Sequence, residues 1–457
     1  MTIWANIIKR FKAPALPLPT RTYDPQYFDT LLSVLRIYFN QLDNLLERIV
    51  DGSATTVPVS IGGTNVDAFG RLRVSSPLTL FDSSHRFSDN NLWVNDTAGT
   101  FTVAFNASQG LVDLTVGTAS GDKILRETTK VFSYQPGKSL LVMSTFVMAP
   151  TKTGLRQRVG YFGASNGLYL EQNGSSVSFV ERSFVTGATT NTPVAQADWN
   201  QDPLNGTGPS GITLDLSKAQ ILYMDIEWLG LGTCRLGFII DGVFVPAHNF
   251  NHANLITSTY ITTASLPLRY EIENVAGTGS SSTMKQVCST VISEGGYELR
   301  GLQQAIGTDI LTPRTLTTAG TLYPVISIRL KSTRLDGIVI LTALSIMGIT
   351  NNANYQWRVV ATGTTTGGAW VSAGASSAVE YNITGTATSG GRILGSGYFQ
   401  GSNQGSSTID ILKEALFSFQ LERNTFTATA YELTLECTGS GANNELHASM
   451  DWEEISR

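Results

Sequence analysis

Between residues 76 and 298 the chain carries almost no helical period, and that limits the fold more than any other feature of its 457 residues. What recurs instead is a strand-length apolar run, a tight-turn dipeptide and a returning run. Asn166-Gly167 and Asn173-Gly174 separate Val159-Gly160-Tyr161-Phe162, Leu168-Tyr169-Leu170 and Val177-Ser178-Phe179-Val180, which reads as a meander with tight turns. Cys234, Leu236, Phe238 and Ile240 alternate up to Asp241-Gly242, and Val243-Phe244-Val245 returns, the strongest hairpin pattern in the chain. Leu268, Tyr270 and Ile272 alternate with Arg269, Glu271 and Glu273, which predicts one buried face and one wet face. Together these runs predict a β-sandwich of jelly-roll type.

A second β region follows Gly295-Gly296. Residues 324–330 and 338–346 flank Asp336-Gly337, another hairpin pattern, and residues 426–437 and 448–455 read as later strands. Residues 363–401 are rich in Gly, Thr, Ser and Ala and read as loops and edge strands, because Trp370 and Tyr381 interrupt them. Lys413-Glu414 leaves residues 411–419 open between a strand and a short helix.

The N-terminal part differs. Ile3, Trp4, Ile7, Ile8 and Phe11 suit a short amphipathic helix, and Pro14, Pro17 and Pro19 an extended spacer. Asp24-Pro25 then supplies a cap and a first-turn proline. Phe28, Leu31, Leu35, Tyr38, Leu42, Leu45 and Ile49 recur in alternating steps of three and four, the a/d pattern of a coiled coil, and Leu32, Phe39 and Leu46 widen the stripe. Asp51-Gly52 ends the pattern after a rod of roughly 40 Å. Such a stripe serves self-association, a homotrimer foremost, or docking on a neighbouring protein. The expected organisation is an anchor and oligomerisation helix over 1–56, a jelly-roll sandwich over 57–298 and a second sandwich over 299–457.

Hydrophobic residues make up 42% of the chain, enough for real cores, while charged residues make up only 15%, against about 25% in ordinary soluble domains. This suits surfaces buried against other subunits. The net charge is −5 with no basic block, which removes the main footprint of nucleic-acid binding. No segment has the apolar length of a membrane span. Cys234, Cys288 and Cys437 are far apart and read as unpaired thiols of a chain folded in a reducing cytoplasm.

Most candidate chemistry fails on inspection. His248 and His252 are four apart but follow a strand, with no third ligand, so hydrogen-bonding turn histidines are the better reading. Asp198, Asn200 and Asp202 begin like a calcium loop, but Pro203 stands where the turn needs Gly and Pro209 where a bidentate Glu is needed. No nucleophile elbow, phosphate-cradling loop or activated cysteine is present. Tyr223-Met224-Asp225-Ile226-Glu227-Trp228-Leu229-Gly230 resembles the catalytic strand of laminarinase-like glycoside hydrolases, themselves jelly rolls, whose pattern is Glu-Ile-Asp-Ile-Glu-Phe-Leu-Gly. Tyr223 stands where that family has its nucleophile, and a retaining mechanism needs two carboxyl groups. The plainer expectation is that Ile226 and Trp228 face the core while Asp225 and Glu227 face solvent or a neighbour. Trp199, Asp225, Glu227 and Trp228 remain candidates for glycan contact without hydrolysis. No cofactor, metal or catalytic residue is expected.

Asp67-Ala68-Phe69-Gly70-Arg71-Leu72-Arg73-Val74-Ser75, running on to Pro77 and Leu80-Phe81-Asp82, resembles a segment of tailed-phage virion structural proteins, notably those of cyanobacterial phages. So do Trp199-Asn200, Gly206-Thr207-Gly208-Pro209-Ser210-Gly211, Leu214-Asp215, Ile226 to Gly230 and Asn249-Phe250-Asn251-His252-Ala253-Asn254, and the helix around Tyr38-Phe39-Asn40-Gln41-Leu42-Asp43. The resemblance covers roughly the first 300 residues and brings no catalytic residues. It implies a non-enzymatic virion component assembled in the host cytoplasm, foremost a tail, fibre or baseplate-associated protein. Its partners would be other virion proteins and further copies of the chain, and a host-surface glycan is an additional candidate partner. The alternatives are a capsid decoration protein and a glycan-binding receptor module.

Overall fold

A computed structural model describes residues 25–50, 76–296, 301–401, 407–408 and 420–456. The described residues fall in two compact units, divided between Ser75 and Ser76. Among the described residues the first contains the helix α1 (Pro25–Val50), at the place its stripe predicts. On the a/d face Leu31, Leu35 and Tyr38 are half-buried and Phe28 is exposed, as are Leu32, Ile37 and Phe39. The helix-end residues Asp24 and Asp51-Gly52, residues 1–23, the stretch 67–75 and all of 411–419 lie outside the described residues, as do the side chains of Leu42, Leu45, Leu46 and Ile49. No described helix is long and apolar enough to cross a membrane.

Among its described residues the second unit is β, apart from one short 3-10 turn at Gln196–Asp198. Its strands are first β1 (Leu78–Ser84), β2 (Trp93–Ala98), β3 (Phe101–Asn106), β4 (Leu111–Val116), β5 (Lys123–Thr128), β6 (Leu140–Val147), β7 (Leu155–Phe162) and β8 (Gly167–Asn173). There follow β9 (Ser176–Ser183), β10 (Thr190–Ala195), β11 (Gln220–Ile226), β12 (Cys234–Ile240), β13 (Val243–Phe250), β14 (Leu268–Asn274) and β15 (Ser282–Ser293). One sheet runs β13-β12-β11-β6-β15-β4-β3, with β1 also on β15; the other runs β10-β9-β8-β7-β14-β5-β2. All pairs are antiparallel, and the inner faces share one core that includes Leu114, Phe146, Val159, Leu170, Phe238 and Tyr270. This is a β-sandwich of the expected jelly-roll type. The meander β7-β8-β9 and the hairpin β12-β13 stand where the turn dipeptides predict them. Asp241 and Gly242 have φ of 51° and 78°, both left-handed, as a type I′ turn requires.

The wet face expected of β14 is a correction. Arg269 and Glu271 are buried. Arg269 donates to Glu127 at 2.8 Å, and Arg158 joins Glu171 at 2.7 Å and Glu271 at 3.0 Å. The Arg269 and Arg182 guanidinium groups sit 5.0 and 5.4 Å from the Phe162 ring centre. β14 is an inner strand between β5 and β7, so its outward charges meet opposite charges across both ladders.

The second sandwich is built from β16 (Leu302–Gly307), β17 (Arg314–Leu316), β18 (Tyr323–Leu330), β19 (Ile338–Gly348), β20 (Asn354–Thr366) and β21 (Val371–Ser372). Then come β22 (Val379–Asn382), β23 (Ala387–Ser389), β24 (Arg392–Gln400), β25 (Ser407–Thr408), β26 (Glu432–Gly439) and β27 (Asn444–Ser456). One sheet runs β16-β27-β19-β25 with β17 also on β27; the other runs β21-β22-β18-β26-β20-β23 with β24 also on β20. Their shared core includes Ile328, Val339, Val359, Leu435, Met450 and Trp452. The hairpin expected at Asp336-Gly337 does not form: β18 pairs with β22 and β26, while β19 pairs with β27. The link 331–337 instead carries the chain from one sheet to the other. The strand expected from residue 426 begins at Glu432, because residues 420–431 serve as a connection between the sandwiches. There Thr425 Oγ1 donates to the Thr128 carbonyl (3.1 Å), Tyr431 OH to the Thr129 carbonyl (3.4 Å), and Lys130 pairs with Glu422 (3.2 Å).

Candidate functional site

Strand β11 lies between β6 and β12, so Leu222, Met224 and Ile226 fill the core while Tyr223 and Asp225 point outward. Asp225 stands opposite Arg235 on β12, and the two form an ion pair. Burial pushes the Asp225 carboxyl up, with Arg235 opposing that shift. Tyr223 stands opposite Gly237, and a Cβ there would come within 2.8 Å of the Tyr223 ring. The missing side chain lets the phenol lie flat on the sheet, covered edge-on by Phe244 at 4.9 Å. The position at which the glycosidase pattern has its nucleophile is therefore a buried phenol. Glu227 is exposed just beyond the strand, where its N–H donates to the Thr233 carbonyl.

The chain then folds tightly. Leu229 and Gly230 have positive φ, and Gly232 N–H donates to the Trp228 carbonyl at 2.7 Å. This turn leaves Trp228 half-buried against the core, with Tyr134 edge-on at 5.7 Å. The Trp228 indole N–H is buried without a hydrogen-bond partner. Trp228 and Tyr134 line a cleft of about 780 Å³ whose other walls come from residues 262–265, residues 332–337 and Arg423. Arg423 donates to Asp336 at 3.0 Å. The cleft offers an aromatic ring face with charged donors and acceptors nearby in a mostly polar wall.

Trp199 does not join it. It is 4% exposed, packs on Phe179 at 4.5 Å and donates its indole N–H to the Val194 carbonyl, so it is a core residue and not a stacking platform. The candidate set thus separates into three places: Trp199 in the core, Asp225 and Glu227 on or beyond the outer face of β11, and Trp228 at the cleft. Tyr134, Arg334 and Arg423 carried no local sequence signal and Asp336 only that of a turn, since each stands in a link whose neighbours come from distant parts of the chain.

The histidines have separate partners. His248 accepts from the Asn200 N–H at 3.3 Å, and burial pushes its pKa down. His252 lies flat on Tyr260 at 3.9 Å, with Nδ1 2.6 Å from the Gly232 carbonyl and Nε2 2.7 Å from Glu181. Asp202 is equally committed, accepting from the Leu204 N–H at 2.8 Å and the Ser210 N–H at 2.7 Å. The Asn200 side chain ties to the backbone of Asn249. These oxygens brace a loop. No cluster of three metal-ligating side chains occurs among the described residues. Burial pushes up the Cys234 and Cys437 thiols, away from nucleophilic character.

No family model and no curated protein matches the chain. Among solved structures it is similar to a Bacillus licheniformis β-glucanase, with 13% identity and a TM-score of 0.32, covering 46% of this chain and 96% of that one. It is similar to a legume lectin-like domain from Entamoeba histolytica, with 10% identity and a TM-score of 0.29, covering 49% and 100%. It is also similar to the CBM2 module of an evolved Dit protein of Lactobacillus casei BL23 phage J-1, with 6% identity and a TM-score of 0.32, covering 50% and 100%.

Proposed function

We propose that this chain is a non-enzymatic, saccharide-binding component of a tailed-phage particle, with the cleft beside Trp228 as its binding surface. The observation that carries the binding role is the half-exposed indole of Trp228 set beside Arg334, Asp336 and Arg423 in one cleft. A sugar presents a C–H face to an aromatic ring and hydroxyls to charged side chains, and an indole that is held in place gives contact area at low entropic cost. The absence of catalysis is supported by the pairing of Asp225 with Arg235 and the burial of Tyr223.

Binding of host lipopolysaccharide by immobilised, multivalent protein tests this. Trp228→Ala should weaken binding by about 10- to 100-fold, the loss typical of an aromatic anchor. Trp199→Phe, matched for thermal stability, should leave it within about twofold. Equal binding by wild type and Trp228→Ala removes the cleft from the proposal. Release of reducing ends from β-glucans, abolished by Glu227→Gln, would overturn the non-enzymatic reading.

The particle assignment is favoured by the resemblance of residues 67–82 and 199–254 to virion proteins. An anchoring role for α1 is supported by the exposure of Phe28, Leu32 and Phe39, which share one face of the helix as an apolar surface that association would cover. Light scattering of the full chain and of a chain lacking residues 1–52 should give a trimer and a monomer. Two monomers would remove the oligomerisation role. Labelling of intact particles should place the protein on the tail or fibre, and its absence from particles would remove the virion role.

A further inference from the structure

The charge in the cleft is unevenly used. Asp336 and Arg423 pair with each other. Arg334, half-buried in the same wall, has no ion pair and no side-chain hydrogen bond among the described residues. Two arginines against one aspartate leave one positive charge without a counterpart in the cleft.

The backbone beneath Arg334 is fixed. Its N–H donates to the Lys331 carbonyl at 2.9 Å, and its own carbonyl accepts from the Gly337 N–H at 3.1 Å. The ammonium of Lys331 is used up by the Gly374 and Ser377 carbonyls at 2.7 and 2.6 Å. The turn is thus braced on the second sandwich, with the guanidinium as its one uncommitted charged group. A guanidinium is all donor and no acceptor, and its planar fork matches a carboxylate. Partial burial strengthens such a pair relative to open water.

Resting on the saccharide-binding reading above, we propose that the cleft selects acidic saccharides, with Arg334 holding a ring carboxylate while the sugar face lies on Trp228. Neutral saccharides would use only the stacking and hydroxyl contacts.

Calorimetric titration of the full chain with trigalacturonate and with its carboxyl-reduced counterpart, a neutral galactotriose, tests the selection. Wild type should bind the acidic sugar about tenfold or more tightly, as expected for a charge-assisted bidentate contact. Raising salt from about 50 to about 500 mM should weaken only the acidic sugar. Arg334→Gln, checked for an unchanged melting temperature, should bind both sugars alike, at the affinity wild type shows for the neutral one. A phosphorylated galactose trisaccharide separates fork geometry from bare charge and should fall between them. Equal wild-type affinities, or a preference that survives Arg334→Gln, would overturn the acidic selection while leaving the saccharide reading intact. Binding of none of these sugars, with no signal across a panel of acidic and neutral glycans, would overturn both.

Discussion

His252 meets an oxygen at each ring nitrogen. A carbonyl oxygen at one ring nitrogen and a carboxylate at the other both favour a proton on that nitrogen, and so favour the imidazolium. Burial alone would lower its pKa, but Glu181 and the Gly232 carbonyl outweigh that and raise it above 6.5. The stability it contributes is complete below the unfolded value and is lost as pH rises through the folded one. His85 works in the opposite sense. It is fully buried near Arg126, and burial followed by that charge lowers its pKa, so its contribution is present above the unfolded value and lost as pH falls toward the folded one. His252→Asn should cost about 2 kcal/mol near pH 6, because Glu181 is left partly buried and unpaired. The cost should shrink toward pH 9. Melting temperatures of wild type and variant across that range check it, and a constant difference would show that His252 is neutral when folded. None of this was legible in the spacing of His248 and His252, because their partners Glu181, Gly232 and Asn200 come from other strands and loops. The same limit explains Trp199 and Trp228: only the packing of Phe179 over one and the Leu229-Gly230 turn beside the other separate core from cleft.

At the level of elements, the sequence pattern was most informative where a two-residue turn joins neighbouring strands. In β12-β13 the turn chemistry and the apolar alternation agree, and the hairpin forms. Asp336-Gly337 carries the same dipeptide, yet β18 and β19 belong to opposite sheets. The long partner strands β26 and β27 offer each a better ladder than the two could give each other, a choice made by residues a hundred positions away. The outer face of β14 departs from its alternation pattern for a related reason, since alternation separates two faces without saying what covers the polar one. Gly237 shows how tightly one such face is packed. Its backbone lies outside the left-handed region, so its role is space and not conformation. A Cβ would meet the Val245 carbonyl at 2.2 Å and the Tyr223 ring at 2.8 Å. Gly237→Val should therefore destabilise by about 1–3 kcal/mol through overpacking. Gly279→Ala, where nothing lies within 4 Å, should stay within about 0.5 kcal/mol. Urea unfolding of the two variants separates them, and equal midpoints would show that the hairpin yields without strain.

For the molecule as a whole, the cleft exists only because the two sandwiches are held together. Tyr134 and Trp228 belong to the first, and Arg334, Asp336 and Arg423 to the second. The hold is concentrated at residues 128–133 of the first sandwich, gripped by 420–431 of the second. Thr425 and Thr128 are 297 positions apart, which is why composition and periodicity gave two sandwiches and no trace of their junction. Two of its bonds run from hydroxyls to backbone carbonyls, Thr425 to Thr128 and Tyr431 to Thr129, and neither hydroxyl lines the Trp228 cleft. Thr425→Val with Tyr431→Phe removes both donors at nearly constant volume and leaves two carbonyls, and the Asn424 amide that donates to the Tyr431 hydroxyl, short of a partner, a cost of about 2–4 kcal/mol in total. Much of that cost falls on the contact between the sandwiches and not on either core, so calorimetry should show one wild-type transition separating into two. Saccharide affinity should fall with it, although no cleft residue has changed, because a looser junction lets the arginine wall drift from Trp228 and a displacement of about 1 Å is enough to spoil a bidentate contact. A double variant that melts as one unit and binds normally would show that the cleft is held by the remaining contacts, with the Lys130–Glu422 pair the first to remove next.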